Sequence, residues 1–237
     1  MRDPRSIRGG LSRRQWLLSQ ATGAGMLAFS MVRLRAALAA EAIAPGVARV
    51  RGDASINGRP AQQGMAMRPG DTLTTGAQGE LVAVVGRDAF MARANSRIEL
   101  ASGASAAALG ALRVVSGALL SVFAAGERRE IRTMTAAIGI RGTAVYVEIQ
   151  NARTYVCTCY GEAILTPLDD PSAAETVRTQ HHDEPRYIYP RGVPRMIETA
   201  PVVNHTDSEL ILLESLVGRR VPFTPSAYPP APAVPVR

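Results

Sequence analysis

The stretch TYVCTCYG, residues 154–161, holds the chain's two cysteines, Cys157 and Cys159, with one threonine between them. On a strand, residues i and i+2 face the same way with Cβ atoms about 6–7 Å apart. A disulfide wants Cβ atoms about 3.8 Å apart, so a direct 157–159 bridge would require a broken strand. Two thiolates on one tetrahedral ion meet no such limit, because each reaches about 2.3 Å to the metal. Two further donors would complete a four-ligand set. The chain has three histidines; His181 and His182 are adjacent in RTQHHDEP, and His205 stands before a capped helix. The expected metal set is therefore Cys157, Cys159, His181 and His182, holding zinc or another soft or borderline transition metal. Neighbouring histidines on a strand point to opposite faces, and Asp183-Glu184-Pro185 marks this segment as a loop instead. A rearranged disulfide, or two inert thiols buried as small hydrophobes, remain open readings of the pair.

The elements that would carry these residues read as short strands between turn signals. Tyr146, Glu148 and Gln150 alternate with Val145, Val147 and Ile149, and Asn151-Ala152-Arg153 turns that strand into TYVCTCYG. Asn57-Gly58 is a tight-turn pair, Pro69-Gly70-Asp71 another turn, and Leu81 to Val85 an apolar run suited to a buried strand. Residues 101–110, ASGASAAALG, are expected as a loop between Gly103 and Gly110. LRVVSGALLSVF reads as two strands broken at Ser116-Gly117. One helix is marked near 207–217: Thr206 and Glu209 form a capping box, Leu210, Leu213, Leu216 and Val217 one stripe, and Gly218 the stop. The tail 221–237 carries six prolines and is expected to be disordered.

The compartment follows from the N-terminus. Arg13-Arg14 after Ser12, then Trp16-Leu17-Leu18 and a short apolar run to Val32, resemble a twin-arginine export signal. Ala37-Leu38-Ala39 offers small side chains for cleavage, so residues 1–39 are expected to be a signal peptide and the protein periplasmic. The run is too short and polar for a spanning helix, so membrane contact is expected only transiently, through the signal. The formal charge of +7 comes largely from this segment. Seven of the 27 basic residues and one of the 20 acidic ones precede residue 40, leaving 20 against 19. A chain basic mainly in its export signal gives no case for a nucleic-acid partner. Every basic residue is arginine, which excludes lysine nucleophiles and Schiff bases. No Gly-x-Ser-x-Gly, no His-Glu-x-x-His and no framed carboxylate pair occurs, so no enzyme is expected.

GDTLTTGAQGELVAVVGRDAFMARANSRIEL, LRVVSGALLSVF and AAIGIRGTAVYVEI resemble the FecR domain family, the periplasmic domain of iron-dicitrate-type signal transducers. The matching residues are Gly70, Asp71, Leu73, Thr75, Gly86, Asp88, Gly117, Ile138, Gly139, Arg141, Gly142 and Thr143. The resemblance spans residues 46–165, with residues 166–220 as a C-terminal extension holding the helix. It implies an all-β, twin-layered fold, β-helix-like or a sandwich, without catalysis. The family pattern places a Gly-centred hairpin at Gly117. It also implies a binding or sensing role with an envelope protein partner, linked to iron or envelope signalling. Only 11 residues precede Ser12, too few for the family's cytoplasmic sigma-contacting segment. Within the Arg-Gly-Thr block, Gly139 and Gly142 would let the backbone bend, and Arg141 could donate to a carboxylate.

Overall fold

A computed structural model describes residues 44–103 and 109–225. The expected signal peptide and most of the proline-rich tail lie outside the described residues. The described chain is all-β with one α-helix. Its strands are β1 (Gly46–Arg51), β2 (Ala54–Ile56), β3 (Arg59–Pro60), β4 (Thr72–Thr75), β5 (Glu80–Val85), β6 (Asp88–Ala92), β7 (Arg97–Ser102) and β8 (Leu109–Ser116). They continue as β9 (Ala118–Val122), β10 (Arg128–Arg132), β11 (Ala136–Arg141), β12 (Ala144–Gln150), β13 (Arg153–Pro167), β14 (Glu175–Thr179), β15 (Arg186–Ile188) and β16 (Ile197–Thr199). The helix is α1 (Asp207–Leu216).

The strands form two layers that diverge along the 15-residue β13. Its first half belongs to the layer β1-β5-β6-β9-β12-β13-β15-β16, and its second half pairs with β11 and β14 in the layer that runs on through β10, β8, β7, β4, β2 and β3. All pairings are antiparallel except β8 with β10. Residues of the two layers meet in one apolar core, with Leu81, Phe90, Leu119, Val145 and Val156 facing Leu73, Ile98, Leu112, Ile138 and Leu165.

Strand alternation then forces a second apolar face. Where Val145, Val147 and Val156 point into that core, Ala144, Tyr146, Tyr155, Cys157 and Cys159 point out of the first layer. Leu210, Leu213 and Leu216 of α1 cover this outer face. The first layer is thus buried on both sides, and β5, β6 and β9 are buried at nearly every position rather than at alternate ones, with Asp88 and Ser121 as polar members. The capping box appears as the sequence indicates: Thr206 Oγ1 accepts from the Glu209 amide, and the Glu209 carboxylate accepts from the Thr206 amide.

Asn57 and Gly58 adopt positive φ, 53° and 76°, and close the β2–β3 hairpin. The structure differs from the expectation at Gly117. It is not a hairpin centre, because β8 lies in one layer and β9 in the other, and the chain crosses between them there. A Cβ on Gly117 would sit 2.5 Å from Ser96 Cα, so only glycine permits the crossing. Gly142 makes the same kind of corner between β11 and β12, at φ +62° with Ala125 Cα 2.7 Å from a would-be Cβ. Gly139, by contrast, is an ordinary strand residue of β11. Arg141 reaches Glu162 only at 3.9 Å and is largely solvent-exposed, a weak surface pair.

Two expected boundaries also look different. Ala101-Ser102 and Leu109-Gly110 are strand rather than loop, paired across the β7–β8 hairpin. Residues 166–220 are part of the same body, since β14 and β15 hydrogen-bond to β13 and β16 to β15. Val221 and Phe223, at the start of the expected tail, pack on the outer apolar cluster. Among the described residues no helix is long and apolar enough to cross a membrane.

Candidate metal centre

Cys157 and Cys159 occupy neighbouring same-face positions of β13, and both thiols are free and fully buried. On one side β13 is paired to β12, with Tyr146 opposite Cys157. On the other side its partner changes. β15 pairs with Thr154–Val156 and β14 with Gly161–Leu165, leaving a gap at residues 157–160. The loop from Gln180 to Pro185 crosses that gap. Its turn is held by the Asp183 carboxylate, which accepts from the amides of Gln180 and His181. The His182 amide donates to the Cys159 carbonyl at 2.9 Å. His182 takes φ +54°, a strained conformation for a non-glycine residue that costs about 1 kcal/mol and is typical of functional positions.

His205 arrives from the opposite direction, one residue before the cap of α1. Tyr155 Oη accepts from the Val203 amide and donates to the Pro201 carbonyl, which fixes the approach. Arg93 donates to the Asn204 carbonyl, and Asn204 donates to Glu148. The His205 ring stacks on Tyr146 at 4.6 Å and 14°.

Cys157 Sγ, Cys159 Sγ, one nitrogen of His182 and one of His205 all lie within 4.8 Å of one another; Cys157, Cys159 and His205 are buried, and the His182 side chain is 10% exposed. A tetrahedral zinc with these donors has ligand–ligand edges of about 3.3–3.8 Å. Cys157 Sγ to His182 Nδ1, at 3.5 Å, falls in that range, and His182 Nδ1 to His205 Nε2, at 3.0 Å, is a few tenths of an ångström short of it. His181 does not join this set. Its Nε2 lies 2.8 Å from Asp207 Oδ1 on the outer side of the loop, because successive residues of the turn diverge. The fourth inner donor is His205, outside the expected set. Its sequence signal is the capped, apolar-striped helix that begins directly after it, and the docking of that helix brings it in.

Proton accounting gives the cluster its chemistry. His205 Nδ1 is 2.7 Å from the Val203 carbonyl, an acceptor only, so Nδ1 carries the proton and Nε2 presents a lone pair. His182 Nε2 is 3.2 Å from the Asp207 carboxylate, which places the proton of a neutral ring there and the Nδ1 lone pair inward. Two inward lone pairs 3.0 Å apart, beside two sulfurs, want a cation between them. Without a metal, the cation is a proton. Burial opposes ionisation of Cys157, but Cys159, His205 and His182 outweigh it and hold its thiol well below the usual range. Cys159 is pushed well up by burial and by Cys157. Burial alone would lower His182; its bonds to Cys157 and Asp207 raise it instead. Cys157, His182 and Asp207 stand in the order of a nucleophile, a base and an orienting carboxylate, yet the sulfur is 0% exposed and a nucleophile must meet its substrate.

No family model matches the chain, and no curated protein matches it. Two crystal structures of an anti-sigma-factor candidate from Parabacteroides distasonis ATCC 8503, at 1.65 Å and 2.50 Å resolution, are similar to it. Each covers 61% of this chain at 12% identity; they cover 74% and 73% of their own chains, with TM-scores of 0.44 and 0.45. At that level of likeness neither bears on role.

Proposed function

We propose that the protein is an exported, non-enzymatic β module that holds one zinc ion at Cys157, Cys159, His182 and His205. The observation that carries this is the convergence of four buried donors from three separate chain segments, two of them imidazole lone pairs facing each other. Four protein donors leave no open coordination position, the pattern of a structural rather than a hydrolytic zinc. Two thiolates and two neutral imidazoles around Zn²⁺ sum to zero charge, which suits a buried site; a monovalent ion would leave a net negative charge there. Asp207, accepting from His182, supplies the outer hydrogen bond that orients a ligating imidazole.

The wider role we propose is that of a FecR-like sensing or docking domain of the periplasm, acting through an envelope protein partner. Its support is the ordered set of FecR-like residues and the twin-arginine signal. That export route carries folded proteins, so a metal loaded in the cytoplasm would cross with its domain.

Metal analysis of the full chain purified without chelators tests the site. One zinc per chain is expected in the wild type and none in the Cys157→Ser, Cys159→Ser double variant. A wild type without stoichiometric metal, whose thiols react freely or are found as a disulfide, would sink the reading.

A further inference from the structure

His181, the histidine that misses the inner set, belongs to a second constellation. His181 Nε2, the outer nitrogen of His182 and the Asp207 carboxylate lie within 4.8 Å of one another. Asp207 Oδ1 is 2.8 Å from the first and 3.2 Å from the second. His182 is common to both groups, its two nitrogens pointing in opposite directions, Nδ1 inward to Cys157 and His205, Nε2 outward to Asp207. Exposure falls along this line. The side chain of His181 is 26% exposed, that of Asp207 14% and that of His182 10%, while both cysteines are at 0%. His181 also lines a cavity of about 630 Å³ together with Tyr160, Gln180, Arg219 and Phe223. The Phe223 ring packs over His181 at 4.3 Å and His182 at 6.2 Å.

Resting on the zinc reading above, we propose that His181, Asp207 and the outer nitrogen of His182 form an entry site. A hydrated divalent ion is caught there from the cavity and handed to the inner thiolates. A buried Cys₂His₂ site cannot be reached by a fully hydrated ion, and stripping all its waters in one step is prohibitive. The outer donors, two nitrogens and one carboxylate, replace part of that shell at the protein surface. Thiolates are the softer and stronger donors for zinc, so transfer inward runs downhill.

His182 is the hinge of the transfer. With an ion on Nε2, the neutral ring would keep its one proton on Nδ1, toward Cys157 and His205. With the ion inside on Nδ1, that proton and the one on the Cys159 thiol would have left to solvent through the cavity, and Nε2 would have taken one up to donate to Asp207, as it does here. The inward transfer therefore releases one proton net, the ring is neutral before and after it, and no bridging imidazolate is needed.

A way-station lowers the barrier in both directions and leaves the equilibrium untouched. The test is zinc uptake by the metal-free full chain and release to a competing chelator, in wild type, His181→Ala and Phe223→Ala. His181→Ala should bind one zinc at wild-type affinity, with uptake and release slowed together by about tenfold or more, a barrier rise of about 1.4 kcal/mol or more. Phe223→Ala, which uncovers the mouth, should speed both. Uptake at the wild-type rate in His181→Ala overturns the proposal, as does a loss of affinity carried by release alone, which would make His181 an inner ligand. If His181→Ala does not fold, Phe223→Ala decides, and unchanged rates there overturn it. A wild type that binds no zinc sinks the inner site itself; a wild type that binds zinc beside an unaffected His181→Ala sinks only the entry site.

Discussion

At the residue scale, the two histidines that face each other differ in what holds them. His205 is fixed by a carbonyl and by stacking on Tyr146, whereas His182 depends on Asp207. Replacing His205 with alanine removes an inner donor and should abolish stoichiometric zinc retention, read by metal analysis after gel filtration. Asp207→Asn keeps the shape but weakens the acceptor that sets the His182 tautomer. Zinc affinity should fall by about 10–100-fold, measured by chelator competition, as for other carboxylates that orient metal-bound imidazoles. Protons compete with zinc for every inner donor, since thiolates and neutral imidazoles bind and their protonated forms do not. Affinity should therefore fall as pH drops, and because, against burial, Cys157 and Asp207 raise His182, the fall should begin above the ordinary imidazole range; an affinity that is flat in pH would exclude these ligands.

At the element scale, the proposed zinc and hydrophobic burial would share the task of docking α1 on the first layer. Leu210, Leu213 and Leu216 are buried, at about 2 kcal/mol each on burial of a leucine side chain. That sum is enough to keep the helix seated without metal. Removing zinc should then loosen the segment that carries His205, while the helix stays on the sheet. Hydrogen exchange should quicken at residues 203–206 and in the 180–185 loop, with little change in β7 and β8. A second element-scale anchor lies in the corner between β9 and β10. The buried Asp88 carboxylate accepts from the Ala124 amide at 2.9 Å and from Arg129 Nε at 2.8 Å. Asp88→Ala leaves the Ala124 amide and Arg129 Nε without this acceptor, while the Arg129 guanidinium keeps Glu127. A loss of about 1–3 kcal/mol in urea unfolding is expected, the scale for a buried polar group left unsatisfied.

At the scale of the whole molecule, the proposed export signal and the proposed zinc site each carry a prediction. Lysine in place of both Arg13 and Arg14 should leave precursor in the cytoplasm. Normal periplasmic yield from that variant would refute twin-arginine export. Because the inner donors come from β13, the 180–185 loop and the lead into α1, a zinc ion held there would tie the C-terminal segments to the sheet. The Cys157→Ser, Cys159→Ser variant should accordingly lose thermal stability as well as metal, whereas inert core thiols would give a smaller loss and no metal in the wild type.

Much of this was local and hence legible in the residues. Period-two alternation placed Cys157 and Cys159 on one face, Asn57-Gly58 and Asn151 marked hairpins, and Thr206 with Glu209 announced the helix, because each rule spans only a few positions. Non-local facts were not. Gly117 reads alike as a hairpin or a crossing, and only the allocation of β8 and β9 to different layers separates them. His205 meets Cys157 across 48 residues of sequence because α1 covers the outer face of the first layer. Hydrophobic burial drives that docking without direction, so the stripe on α1 said that the helix would pack, and the three-dimensional arrangement alone decided against which face.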